Sequence, residues 1–403
     1  MRIQSAFRVL VIGMGMGILL SVLSCEEIIP AAPSDNQLLD GPIPGLSHAE
    51  QRQFLAGDRA FNEEIFTSAN GLGPVFVATS CGSCHAGDGK GHPFTTLTRF
   101  GQTDETGNQF LDQGGPQLQN RAIPGHLPEQ LPMGATFSQF MPPANTGLGF
   151  LEVLTDAQLL ANADPNDLDG DGISGVPNYI DPPPYFQPQP HHQDSGGKYI
   201  GRFGKKASAI DLLHQTVNAY NQDIGITSSF NPFDAFTGLE TDPEISDQTI
   251  HDVVFYLQTL KTPIPRNPNQ SEIILGKDIF LEIGCRKCHI PEFTTPESTI
   301  SALSNKTFYP YTDLLLHDMG PDLDDGYTEG TALTNEWRTP PLWGLGLAPN
   351  SQGGQFFLLH DGRARSIEEA IELHGGEAIA SRTEYLQLET SSREALIKFL
   401  KSL

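Results

Sequence analysis

Two short stretches of this chain place the same residues at the same spacing. The first, CGSCHAGDGKGH, holds Cys81, Cys84 and His85, and the second, GCRKCHIP, holds Cys285, Cys288 and His289. Two cysteines one helical turn apart can add their thiols to the two vinyl groups of one porphyrin. The adjacent histidine then falls under the iron as an axial ligand. A Cys-x-x-Cys pair alone would also suit a zinc half-site or a thioredoxin-type redox pair. Zinc would require the two motifs to meet in space, and a thioredoxin pair requires a βαβ setting that is missing here. The residues therefore point to two covalently attached c-type haems. The remaining cysteine, Cys25, lies outside both motifs, so none is left for a structural disulfide.

The second axial position of each iron narrows to a few side chains. In FFLLHDGRARSIEEAIELHGGEA, Ser366 and Glu369 read as a capping box and Gly375-Gly376 as a helix end. Ile367, Ala370, Ile371 and His374 then share one face, which aims His374 at the core and makes it the ligand expected opposite His289. Met319, in LLLHDMGPDL, is its rival. For the first haem, Met141 in QFMPPANTG is one candidate, and an open position with an acid above the iron is the other. Asp167, Asp169 and Asp171, followed by Gly172, have the spacing of an EF-hand loop, so calcium is expected there. Asn178 stands at loop position 12 where a bidentate glutamate is usual, and a solvated acidic turn is the competing reading. Arg202, Lys205, Lys206, Arg363 and Arg365 are cations suited to the carboxylates of haem, or to plain surface solubility. Trp337 and Trp343 fit core packing better than an electron relay.

These residues need elements to hold them. Ser47 and Glu50 form a capping box ahead of Phe54, Phe61 and Ile65, so a helix leads towards Cys81. Ser246 opens another helix, with Ile250, Val253, Val254, Leu257 and Leu260 on one stripe. The second half repeats the plan: ILGKDIFLEIGCRKCH puts a helix ahead of its motif, and Ser391 and Glu394 cap a closing helix carrying Leu396, Phe399, Leu400 and Leu403. Helix, motif, long loops and closing helix, twice over, predict a mostly α protein of two cytochrome c-like haem domains. Those domains are read as 47–264 and 265–403, divided at Pro263 to Pro268. The first carries a long loop-rich insertion, consistent with 41 glycines and 31 prolines.

The N-terminus reads as a lipoprotein signal peptide over 1–24. Arg2 and Arg8 precede the apolar run VLVIGMGMGILLSVLS, which ends in Val22-Leu23-Ser24-Cys25, similar to a bacterial lipobox. The GMGMG glycines lack the strand, helix and acid of a dinucleotide site. Residues 25–46, acidic and Pro-rich, read as a tether. The expectation is a chain lipid-anchored through Cys25 in the bacterial envelope, on the periplasmic side of the outer membrane, with no transmembrane helix in the mature form. A net charge of -25 excludes nucleic acid and favours a basic protein or a cation as partner.

GLGPVFVATSCGSCH, GPQLQNRAIPG, TGLGFLEVL, DLDGDGISGVPN, GRFGKKA, EWRTPPLWGLG and LHDGRARSIEEAIELHGGEA together resemble the bacterial di-haem c-type cytochrome oxidoreductases. These are described as thiol oxidoreductases or peroxidases and are distantly related to di-haem cytochrome c peroxidases. The resemblance implies that Glu152, in TGLGFLEVL, is a distal acid/base, with Gln117 or Gln119 as the neighbouring amide. It also puts His374 where the peroxidases carry an axial methionine, and related peroxidases hold calcium between their haem domains. The function implied is peroxidase-like electron transfer through two haems, taking electrons from a small redox carrier or an envelope redox protein. A pure electron-transfer cytochrome and a redox accessory to an iron-uptake lipoprotein are the alternatives.

Overall fold

The computed structural model describes residues 33–103 and 107–403. The signal peptide and Cys25 lie outside the described residues. Leu39–Leu403 form one compact unit. Seven helices organise it: α1 (His48–Asn62), α2 (Leu212–Asn218), α3 (Asp247–Thr259), α4 (Ser271–Glu282), α5 (Ile367–Glu372), α6 (Ile379–Gln387) and α7 (Thr390–Ser402). Of the described residues, 34% are helix and 10% strand. Helix outweighs strand, but most of the chain is loop, as its glycines and prolines require.

Each motif is framed by a helix pair. α1 packs on α3 and α4 packs on α7, and in both pairs a glycine sits at the crossing. A Cβ on Gly57 would fall 2.0 Å from the carbonyl oxygen of Asp252, and one on Gly276 would fall 2.0 Å from that of Ala395. Glycine inside a helix costs about 1 kcal/mol against alanine, so these two positions trade propensity for backbone contact. The pairs carry matching aromatic clusters. Phe61 lies 5.5 Å from Tyr256 across the first, and Phe280 lies 5.5 Å from Phe399 across the second.

The cap at Ser47 forms as a full box, and Ser246 caps α3. At α7 the helix begins earlier than its sequence signal, with Glu389 at the N-cap and Ser391 already inside. Ile65 falls beyond the end of α1 and is exposed. The tether is shorter than expected. Leu39, Ile43 and Leu46 are buried, and Ile43 N donates to Thr259 O at 2.8 Å.

Five two-stranded antiparallel pairs stitch the loops. Two of them frame the interior: β1 (Leu97–Phe100) with β2 (Phe137–Phe140), and β3 (Leu316–Asp318) with β4 (Glu336–Arg338). The inserted residues between the first motif and α3 do not form a separate lobe. Val176 bridges to Leu316, Asn178 Nδ2 donates to Glu329 O at 2.8 Å, and Lys206 Nζ donates to the carbonyls of Leu333, Thr334 and Glu336. The larger hydrophobic core accordingly mixes both halves. It takes in Phe54, Leu154 and Val253 together with Phe293, Phe308 and Trp343. The smaller core belongs to α4, α5 and α7, through Phe280, Ile367 and Leu396.

Gly276→Ala should destabilise the protein by roughly 1–3 kcal/mol through overpacking at the α4–α7 crossing, despite the helix propensity it gains. Thermal unfolding checks this, and an unchanged midpoint would show that the crossing does not need glycine.

Candidate haem-binding cavity

One continuous cavity of about 410 Å³ runs through the interior, and both motifs line it. Each motif starts with a short 3-10 turn, Cys81–Ser83 and Cys285–Lys287. The turn is closed in the same way each time: His85 N donates to Cys81 O and His289 N to Cys285 O, both at 3.0 Å. The imidazoles are oriented identically. Nδ1 of His85 meets the Pro143 carbonyl at 2.9 Å, and Nδ1 of His289 meets the Tyr311 carbonyl at 2.9 Å. A carbonyl can only accept, so each Nδ1 carries the proton and each Nε2 keeps a free lone pair, the form that binds iron. Burial pushes both imidazoles down to about 4, so they stay neutral.

The thiols are equally informative. Burial pushes Cys81 up to about 12 and Cys84 to about 11, with Asp223 adding to both, and burial likewise takes Cys285 to about 12. A redox or zinc-binding cysteine needs the opposite shift, towards thiolate. Orphaned polar atoms complete the test of fit. The Tyr220 hydroxyl and Oε2 of Glu329 are buried without partners, and both residues line the cavity. Neutral thiols, iron-ready imidazoles and unsatisfied polar atoms around one apolar-walled space fit two porphyrins.

The cavity is asymmetric. On the side of the second motif, α5 ends at Glu372, two residues short of His374, so this histidine stands just beyond the helix rather than on its face as the sequence suggests. His374 nevertheless lines the cavity, because its Nδ1 folds back to Ala370 O at 2.6 Å and leaves Nε2 free. Its charge disfavours protonation of His289, which marks the two imidazoles as neighbours. Met319 lines the same space. Cys288, Asp313 and His317 converge nearby in a metal-like group. His317, however, is committed at both ring nitrogens, to Asp313 at 2.8 Å and Glu377 at 2.6 Å.

On the side of the first motif the lining is a polar network. Arg99 pairs with Glu329 at 2.8 Å and donates to Oε1 of both Gln117 and Gln222. Gln117 Nε2 donates in turn to Asp223. Asp223 belongs to a π-turn, Ala219–Ile224, that continues α2, and its carbonyl accepts from Val77 N and Ala78 N just ahead of Cys81. Burial raises its carboxyl to about 6. Met141 is buried in the cavity wall, where its sulfur accepts from Gln352 Nε2 at 3.7 Å. It lies two residues from Pro143, a span of at most about 7 Å, so it stays on the His85 side.

Several expected site residues fall elsewhere. Glu152 does not line the cavity. Its two oxygens accept from Leu212 N and Gln258 Nε2, both at 2.7 Å, so it fastens the start of α2 to α3. Arg202 is fully buried against Asp156 at 2.6 Å, and Arg363 is held by Asp361 and Asp325. Neither faces the cavity, whereas Lys90, Lys205 and Arg338 do. In the acidic loop Asp164, not Asp171, joins Asp167 and Asp169, while Asp171 turns to Lys287 at 2.9 Å. Asn178 is buried away from that loop on Lys206 O and Glu329 O, so it closes no calcium site. Arg99, Gln222, Asp223 and Glu329 carried no sequence signal, because they come together only through the insertion. Among the described residues no helix is long and apolar enough to cross a membrane.

No curated protein matches the sequence. The family described as "Di-haem oxidoreductase, putative peroxidase" matches residues 126–403, more than half of the chain. Among solved structures the chain is similar to hydrazine synthase of Kuenenia stuttgartiensis, at 14% identity and a TM-score of 0.39, over 93% of this chain and 98% of that one. It is also similar to a MauG-like protein associated with microbial copper homeostasis. That likeness has 13% identity and a TM-score of 0.41, over 93% of this chain and 94% of that one.

The placement of Glu152 has a measurable consequence. Burial first, and then Asp211, raises its carboxyl to about 7. The folded state therefore holds this proton more tightly than the unfolded chain does, and the contribution of Glu152 to stability is lost as pH rises from about 4.5 to 7. Glu152→Gln should remove that part of the dependence, on the order of 3 kcal/mol at most. Asp88 and Asp223 act in the same direction, whereas the buried imidazoles of His85, His214 and His289, lowered to about 4, act in the opposite one, so the difference between parent and variant is what reads Glu152. Unfolding midpoints measured across this range check it. An unaltered slope would show that Glu152 ionises normally.

Proposed function

The chain belongs to the di-haem oxidoreductase family, and we propose that within it this protein is an exported, peroxidase-like enzyme whose two haems divide the labour. Cys81 and Cys84 would hold one haem and Cys285 and Cys288 the other, as thioethers, with His85 and His289 as axial ligands. Each bound haem supplies a one-electron iron centre whose potential is set by its axial ligands and surroundings. His374 would help hold the C-terminal haem, and an imidazole there would favour a low potential suited to electron entry.

The observation that carries this reading is the asymmetry of the cavity. A free imidazole nitrogen neighbours His289, whereas the first motif faces Arg99, Gln117, Gln222, Asp223 and Glu329. Such a network binds and orients a small oxygen-rich substrate. Arg99 offers the positive charge, Gln117 and Gln222 fix its guanidinium, and the orphaned oxygen of Glu329 is placed to take or return a proton. A strongly acidic surface favours a basic redox protein as the electron partner. Calcium has no support beyond a convergence of exposed acids.

Protein matured in an exporting host should carry two haems that resist acid-acetone extraction. Mass spectrometry showing one haem or none would refute the assignment. His374→Ala should open the C-terminal site and add a high-spin signal, while His374→Met should keep it six-coordinate and raise its potential. Unchanged spectra in both variants would move the ligand to Met319. Glu329→Gln should slow turnover with hydrogen peroxide by about 10²-fold or more while leaving both potentials near those of the parent. Full activity in this variant would remove Glu329 from the chemistry.

Export and anchoring are proposed from the N-terminal segment alone. Cys25→Ala should move the protein from the membrane fraction to the soluble one with both haems in place.

A further inference from the structure

Among the described residues, most buried or half-buried cations come with partners. Arg202 has Asp156, Arg99 has Glu329, and Lys206 has three carbonyls and the face of Trp337 at 4.0 Å. Lys90, Lys205, Arg338 and Arg382 also line the cavity, yet among the described residues none of them forms an ion pair; Arg382 acts on His374, whereas the other three stand on the side of the first motif. In a chain with 49 acidic residues against 24 basic ones, three such cations gathered beside one motif are a selective arrangement.

Backbone contacts hold the three in place. Arg338 N donates to Lys205 O at 3.0 Å, and its Nε donates to Gly204 O at 2.8 Å, which fixes the guanidinium beside Lys205. Nη1 reaches only the carbonyl of Thr339, and Nη2 is uncommitted. Lys90 precedes Gly91, whose N–H donates to Pro142 O at 2.9 Å, next to the carbonyl that holds His85. Burial lowers Lys205 to about 7, with Lys90 and then Arg338 adding repulsion, and burial lowers Lys90 to about 8. Like charges gathered in a water-poor space are unfavourable until an anion joins them.

We propose that Lys90, Lys205 and Arg338 form a carboxylate-binding cradle beside the first motif, occupied in the assembled protein by the carboxylates of the bound porphyrin. This rests on the di-haem reading above. The same chemistry would accept a free small carboxylate, so the test separates the two sources.

Holoprotein carrying Lys205→Gln, Lys90→Gln or Arg338→Gln should show the midpoint potential of at least one haem shifted downward. Removing a positive charge near the haem disfavours the added electron. Lys205→Arg should restore the parental potential, which a merely structural role would not require. Loss of one haem in Lys205→Gln, recovered in Lys205→Arg, supports the cradle equally. Acetate titrated into the parent holoprotein should produce no saturable heat. Parental potentials and full haem content in all three glutamine variants overturn the proposal. Saturable acetate binding that Lys205→Gln abolishes overturns the porphyrin as the source and assigns the cradle to a free carboxylate. A parent protein that matures without haem would instead overturn the di-haem reading, and acetate calorimetry on that protein then decides the cradle alone.

Discussion

The arrangement depends on one hydrogen bond made twice. An imidazole has two nitrogens and, when neutral, one proton, so committing Nδ1–H to a carbonyl settles which nitrogen keeps a free lone pair and where it points. Pro143 provides that carbonyl for His85 and Tyr311 provides it for His289. Much of the remaining scaffold keeps these two carbonyls in place. Gly91 ties the Pro142–Pro143 segment to the loop after the first motif. Tyr311 packs its ring on Phe280 and Phe399, the pair that joins α4 to α7.

Local features of the fold were legible in the sequence where the physics is local. Capping residues at Ser47, Ser246 and Ser366 started helices as expected, because a side-chain cap acts within a single turn. The two motifs were legible because their cysteines and histidine are adjacent in the chain. The rest of the site was not. Arg99 and Glu329 form an ion pair across 230 positions, and no periodicity or spacing encodes such a contact. The cations show the same limit from the other side. Composition marked Arg202, Lys205, Lys206, Arg363 and Arg365 as unusual, but only Lys205 faces the cavity. Which cation is paired off and which is left free is decided by tertiary packing.

Glu152 shows how a resemblance and a geometry can diverge. The carboxylate stands where the related peroxidase stretch suggests an acid, and its proton affinity is raised as a catalytic acid's would be. Both of its oxygens are nevertheless spent on joining α2 to α3. A perturbed proton affinity reports burial, and burial serves structure as readily as catalysis. The insertion resolves the difference, because it supplies Arg99, Gln117, Gln222 and Asp223 and docks against the loop that carries Glu329.

The helix crossing at Gly57 also bears on the order of assembly. α1 and the first motif are synthesised long before α3, and Asn62 and Tyr256, which bond across that pair, stand 194 positions apart. Until α3 emerges, the helix pair that frames the first motif cannot form, because α3 is encoded almost at the end of that half. Tyr256 also fastens Asp88, just beyond His85, at 2.7 Å. The frame around the first motif is therefore completed only when α3 arrives, well after the motif itself.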